Sequence, residues 1–521
     1  MRALAWLAVL LAAGAGCTQN RADAQGVDAA AIAATSSWSA AEQTQYFQRS
    51  GETEQTADAE ARCLAFPDLP ENRWMPGAAA AACGLLRETI WTVDKLQAEL
   101  GMPNGAQRLD NAFAALAREQ VAHADGGDPL FHAFSKFQAD APSRELAKAW
   151  LAASPQSPHA MTALGLVWLD SAHEARGARW AHETSHAQIS EMHRYLGLAQ
   201  PLFESALAVE PSYAPACVAL IRISRLQGDD ELKQRAIAHC DKIDGSSFAV
   251  MQARKTAAEP RWGGSPQEID EVNRLVKQRV ATNPALAILL SDGDAESGVA
   301  LAKDKRWQQA YPLLQQAAAR APEGELLAYA GRTANKLGQH QTAVVYLTQA
   351  LRFHPRATWY RRWLARTYGD LGQWPQALAQ LASAKASAEA VNYDLVLGSD
   401  YAHLGWLANK QGNYPAAKQA YVLALDYPKT RQDAAIGLCD IAVRRESDLS
   451  EALRCTRQLA TEYPDVPMAR FMHAWVLTEN RQPGAEQAAQ AFFALPEGLD
   501  KQQPKLAEQL RQLRQQMAPV E

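Results

Sequence analysis

The 521-residue chain is short of the residues that build sheets. Runs of Val, Ile and Thr are scarce and Ala is used heavily, so long β-strands are not expected. It also lacks an excess of positive charge. Lys and Arg number 52 against 57 Asp and Glu, a net charge of −5, which argues against a dedicated nucleic-acid binder. Beyond the N-terminus, no apolar run approaches the ~20 residues of a spanning helix. Gly-x-Ser-x-Gly, a phosphate-binding Gly-rich loop ending in Lys, and a strand–glycine–helix dinucleotide unit are all missing. A CxxC pair is missing too, which argues against a cysteine-held metal. No cofactor is expected. What the chain does have is 48% hydrophobic and 21% charged residues, enough to bury a core.

The first residues read as an export signal. Arg2 supplies a positive start, and the apolar stretch from Ala3 to Ala13 is too short to cross a ~30 Å hydrocarbon core. It leads into Gly14-Ala15-Gly16-Cys17, which resembles a bacterial lipoprotein signal. The resemblance implies cleavage before Cys17, lipidation of that cysteine and attachment to a membrane. Thr18 rather than Asp after it implies the outer membrane of a Gram-negative envelope, with the chain in the periplasm. The alternative is ordinary cleavage and a soluble periplasmic protein. Residues 1–17 are therefore expected as signal, and the polar stretch 18–55 as a flexible tether. Residues 56–130 are expected as an N-terminal helical segment broken at Pro67, Pro70, Pro76-Gly77 and Gly101.

A period of about 34 residues runs through much of the rest. Leu327, Gly331, Ala343, Leu347, Ala350 and Pro355 recur in the next unit as Leu364, Ala365, Tyr368, Ala377, Leu381 and Ala384. They recur again as Tyr401, Leu404, Gly405, Ala408, Ala417, Tyr421 and Ala424, and more loosely as Ile436, Val443, Ala452, Leu459 and Pro464. Gly338, Gly372 and Gly412 fall where the chain would turn between helices. The pattern resembles the tetratricopeptide repeat. It implies an all-α fold, an α-solenoid of tetratricopeptide-like helix hairpins, regular over 286–480. A capping helix in 481–521 follows, carried by Leu506, Leu510 and Leu513.

Six cysteines remain beyond Cys17 and fall into three local pairs. An oxidising compartment permits disulfides, and spacing alone leaves many pairings open. The tetratricopeptide register places Cys217 opposite Cys240 and Cys439 opposite Cys455, each across one hairpin. With a staple between Cys63 and Cys83, the expected bridges are Cys63–Cys83, Cys217–Cys240 and Cys439–Cys455.

Residues 131–285 carry divergent repeats, of which Ala199, Phe203, Ala206 and Pro211 mark one second helix. Trp150, Ser154-Pro155-Gln156-Ser157-Pro158, Ala175-Arg176-Gly177 with Trp180, and Glu259-Pro260-Arg261-Trp262-Gly263-Gly264-Ser265 resemble a bacterial family known only as domain of unknown function 4034. The resemblance implies a bacterial helical protein and no particular reaction. Pro260 and Gly263-Gly264 forbid regular helix and would present Arg261 and Trp262. Together with Arg176 and Trp180 these could line a second pocket; the competing reading is a Trp plug between repeats.

His182-Glu183-Thr184-Ser185-His186 reads HExxH. On a helix the two His would share a face and could hold zinc, with Glu183 as base. The polar flanks and the missing downstream Gly argue against it, so no metal is expected at His182 and His186. A zinc metallopeptidase stays as an alternative function.

In tetratricopeptide proteins the first helix of each repeat lines the concave face. That register implies a groove formed by Arg332, Asn335, Lys336, Trp359, Arg362, Arg366, Trp406, Asn409, Lys410, Arg444 and Arg445, opposed mainly by Asp370. Such a wall would take an acidic protein segment or a free C-terminal carboxylate. If it faces solvent, reversing Arg362 and Arg366 should leave stability almost unchanged. The expected function is a non-catalytic envelope scaffold that holds a protein or peptide partner. An immunity or inhibitor lipoprotein acting on a secreted toxin is a further alternative.

Overall fold

A computed structural model describes residues 40–53, 56–122, 127–177, 183–290, 293–386, 394–445 and 448–517. Cys17 and the signal lie outside them. Among the described residues the fold is all-α, and none is in a strand. None of their helices is long and apolar enough to cross a membrane. Contacts divide the chain into two compact units: residues 39–333 with 352–355, and residues 334–351 with 356–521.

The first unit opens with α1 (Ala40–Thr53), α2 (Ala59–Ala65), α3 (Ala78–Gly84), α4 (Val93–Leu100), α5 (Gly105–Ala122) and α6 (Pro129–Phe134). Helix α1 corrects part of the expected tether. No Pro or Gly interrupts Ala40–Ser50, and Tyr46 is buried with its ring 6.0 Å from Phe66. Next come α7 (Ala141–Ala153), α8 (Pro158–Arg176), α9 (His186–Val209), α10 (Ala214–Gln227), α11 (Asp230–Asp244), α12 (Phe248–Ala258) and α13 (Pro266–Arg279). Helices α14 (Gly293–Lys303) and α15 (Trp307–Arg320) follow, then α16 (Gly324–Lys336) and α17 (His340–Phe353), which run across the division. Consecutive helices pack as hairpins, α8 with α9, α10 with α11 and α14 with α15. The buried aromatics Phe113, Trp150, Phe203 and Tyr213 anchor the main core of this unit.

The segment around α2 and α3 returns to the far end of the same unit. Trp74 donates its indole N–H to the Ala318 carbonyl at 2.9 Å, and the Arg73 amide donates to Ala319 at 2.6 Å. These carbonyls belong to the last turn of α15, where helical partners have run out. Buried Arg352 donates to the Cys63 carbonyl at 2.8 Å and pairs with Asp68 at 2.6 Å. The segment thus caps a helix distant in sequence, and Cys63–Cys83 ties its two helices together.

In the second unit the hairpins are regular. They are α18 (Thr358–Asp370) with α19 (Trp374–Ala386), α20 (Asp394–Lys410) with α21 (Tyr414–Ala424), α22 (Arg431–Arg445) with α23 (Leu449–Glu462), and α24 (Pro467–Glu479) with α25 (Ala485–Phe493). Each first helix also packs on the next first helix, so α18, α20, α22 and α24 form one layer. Helix α26 (Gln503–Met517) closes on α24 with Leu506, Leu510 and Leu513 buried. Gly338, Gly372 and Gly412 take φ of +81°, +73° and +83° at the turns, where a side chain would be strained.

The cysteines close as Cys63–Cys83, Cys217–Cys240 and Cys439–Cys455, with Cα separations of 5.4, 5.7 and 5.6 Å. The latter two each join the helices of one hairpin.

Close approach within the stack depends on missing side chains. A Cβ at Gly405 would lie 2.6 Å from the Tyr421 ring, and one at Gly437 would lie 2.3 Å from it. Gly405→Ala is predicted to cost about 1–3 kcal/mol by overpacking. Gly197→Ala in α9, where nothing lies within 4 Å, should instead gain up to about 1 kcal/mol in helix propensity. Urea unfolding of the two variants checks both signs.

Candidate functional site

The first-helix layer of the second unit holds most of the expected groove residues, but their chemistry differs from the expectation. Asp400, fully buried on α20, accepts from two arginines of α18: Arg362 Nε bonds one carboxylate oxygen, and Arg366 Nε bonds the other at 2.7 Å. Asp440, nearly buried on α22, accepts from Asn409 of α20 at 3.1 Å and pairs with Arg444 of its own helix. Asn335 donates to Asp370 of α18 at 3.0 Å, and His340 Nδ1 lies 2.7 Å from the Asn335 carbonyl oxygen. The expected open wall of cations is therefore largely an internally paired ladder running from one first helix to the next. Asn335 and Asn409, expected in the groove, are already donating to carboxylates.

Asp400 and Asp440 escaped the sequence reading for a definable reason. Their register positions are the third and the eighth of their repeats, outside the set taken to face the groove. In the stack, the third position of one repeat meets the fifth and ninth of the repeat before it. Two arginines at those positions were the available signal.

The remaining groove residues fall as follows. Lys336 and Lys410 are exposed, and Lys410 Nζ lies 5.2 Å from the Trp406 ring centroid. Trp406 stacks on His403 at 5.7 Å. Trp359 packs edge-on against Trp363 of its own helix, centroids 4.2 Å apart. Arg332 belongs to the first unit, over Trp307 at 5.3 Å. The Arg445 side chain lies outside the described residues. Elsewhere in the second unit a cleft of about 470 Å³ opens beside Cys439–Cys455, lined by Val422, Leu425, Leu438 and Leu459.

Of the HExxH motif, residues 183–186 are described. Ser185 caps α9 by accepting from Gln188, so the helix begins at His186 and Glu183 lies in the exposed loop before it. His182 and Trp180 lie outside the described residues. Among the described residues no three His, Cys, Asp or Glu side chains are grouped to hold a metal.

The second pocket is partly assembled in the first unit. Trp262 ends a short 3-10 turn, Pro260–Trp262, and receives the guanidinium of Arg176 at 5.1 Å and that of Arg225 at 4.6 Å. The Arg261 side chain lies outside the described residues. Arg222 and Arg225 were missed, although they occupy the ninth and twelfth positions of the repeat begun at Ala214. They lie in a divergent repeat, outside the regular repeats that define the expected groove. Burial, reinforced by Arg222, Arg225 and Arg176, pushes His173 down to about 4. His159 is also held near 4 by burial, against the opposing pull of Asp110, and its Nδ1 lies 2.6 Å from the buried Tyr213 hydroxyl.

No protein-family profile matches the chain, and no curated protein matches it. Among solved structures it is similar to the TPR domain of P58(IPK), with 14% identity, 79% of this chain and 99% of that chain covered, and a TM-score of 0.22. It is also similar to the APC/C hetero-tetramer Cut9-Hcn1, with 12% identity, 92% and 98% covered, and a TM-score of 0.25. With scores that low, the fold rests on the helix pairing described above.

Two predictions follow from these geometries. Reversing Arg362 and Arg366 to Glu should destabilise the second unit by several kcal/mol, because Asp400 is left buried beside two like charges. This replaces the expectation of an unchanged melting temperature, and calorimetry reads it directly. The second concerns pH. His159 and His173 have folded values near 4 against an ordinary 6.5, so between those values the unfolded chain binds protons that the folded chain refuses. Stability present at about pH 7 is lost as pH falls through that window. Urea midpoints at about pH 7 and about pH 5 should differ accordingly, with the lower midpoint at the lower pH.

Proposed function

We propose that the chain is a non-catalytic scaffold of the cell envelope that holds a protein or peptide partner on the first-helix layer of its second unit. The observation that carries this reading is the ladder itself. Among the groups named, Lys336, Arg362, Arg366, Lys410 and Arg444 outnumber Asp370, Asp400 and Asp440, and the buried pairs hold the layer rigid. A prearranged wall loses less entropy when a partner docks. Exposed Lys410 lies beside Trp406 on this layer, which favours an acidic segment or a terminal carboxylate.

Periplasmic location and lipidation at Cys17 belong to the same proposal. Three closed disulfides support an oxidising compartment.

The test uses Lys336→Glu with Lys410→Glu, which spare the buried pairs. Melting temperature should move by no more than about 2 °C, as exposed substitutions do. Partner adducts formed in intact cells through a photo-crosslinker at Gln411 should disappear. Adducts of unchanged yield would contradict the proposal.

A further inference from the structure

The three disulfides of the described residues have different surroundings. Cys63, Cys83, Cys217 and Cys240 are each 1% exposed or less, and Cys217 and Cys240 belong to the main core of the first unit. Cys439 is buried as well, at 3%. Cys455 is the one of these six cysteines that is not buried, and it lines the cleft of about 470 Å³ together with Cys439.

The pattern along α23 explains the difference. Ala452, Thr456, Leu459 and Ala460 form its buried face. Cys455 stands at the edge of that face, beside exposed Arg454. Across the cleft, the end of α21 supplies Val422 and Leu425, and Val422 is 54% exposed. The bridge is therefore reached through an apolar opening rather than through a packed core. Lys418, Arg431 and Arg454 line the cleft against Glu451 and Glu462, a balance that does not repel an incoming thiolate. Around the bridge, Leu459, Phe471, Met472 and Phe492 pack into one core with Cys439, so the hairpin keeps apolar support that does not depend on the S–S bond.

We propose that Cys439–Cys455 is a thiol–disulfide exchange site, at which a dithiol reductant entering the cleft opens the bridge in the folded chain while the other two bridges stay closed. A thiolate of the dithiol attacks Cys455 Sγ. A mixed disulfide forms there, and the Cys439–Cys455 bond breaks with its electron pair on Cys439 Sγ, which takes a proton from water. The second thiol of the reductant, as thiolate, then displaces Cys455, which is protonated in turn. The protein disulfide has gained two electrons and two protons, and the dithiol has become a disulfide. Opening releases α23 from α22 without touching the ladder, because Asp440 keeps both Asn409 and Arg444. The site does not depend on the partner surface proposed above.

The test uses the purified, oxidised full chain without denaturant. Dithiothreitol is added, samples are quenched with iodoacetamide over time, and labelled cysteines are located by peptide mass spectrometry. Cys439 and Cys455 should gain label about tenfold faster than Cys63, Cys83, Cys217 and Cys240, or more, since buried bridges wait for the fold to open. Their rate should rise in proportion to dithiothreitol, as direct attack requires. Glutathione, a monothiol, should leave its adduct on Cys455 rather than Cys439. After selective reduction, amide hydrogen exchange over 449–462 should quicken about tenfold or more, with exchange in the first unit unchanged. Equal labelling of all three bridges would overturn the proposal. So would a rate that levels off as dithiothreitol increases, because the hairpin would then have to unfold first.

Discussion

One buried carboxylate organises the first-helix layer of the second unit. Asp400 has no contact with solvent and gives each of its oxygens to a different arginine of the preceding helix. A buried charge without such partners would be expelled or neutralised. The pairing therefore fixes how α20 sits on α18, since sliding or rotating either helix breaks two charge-assisted bonds at once. Apolar packing alone is less selective, because Leu and Ala tolerate small shifts of register.

The two kinds of contact divide the work of building the stack. Within a hairpin, small residues bring two helices together, as Gly405 does against Tyr421, and disulfides reinforce two of the hairpins. Between hairpins, polar side chains cross from one first helix to the next: Asn335 to Asp370, Arg362 and Arg366 to Asp400, Asn409 to Asp440. The same logic operates in the first unit, where Asp170 of α8 acts on Arg222 of α10. A solenoid contacts only its neighbours, so its stiffness is the sum of such local joints. A stiff wall suits recognition, because little ordering remains to be done when a partner arrives.

Much of this architecture was legible from spacing. The alternation of small and large residues over 324–464 marks the hairpins, the turn glycines mark their corners, and the cysteines fall opposite one another in the same register. Charge pairing was less legible. A register names the positions that face a groove in an average repeat, but Asp400 and Asp440 lie outside those positions and still reach it, because in the stack the third residue of one repeat meets the fifth and ninth of the repeat before it, and the eighth meets the twelfth. HExxH shows the limit of reading spacing alone. Its spacing implies shared helical geometry only if a helix is present, and Ser185 is a strong capping residue that starts the helix inside the motif. The His173 cluster was hidden because it needs an overlong helix, a neighbouring repeat and a distant Trp, which no local pattern joins.

The most direct measurement of the central claim is a double-mutant cycle between Asp400→Asn and Arg366→Gln, read by denaturant unfolding. If the carboxylate joins the two helices, the coupling energy should be at least about 1 kcal/mol. Losses that add within about 0.3 kcal/mol would mean that the two residues do not interact, and the paired ladder would have to be abandoned.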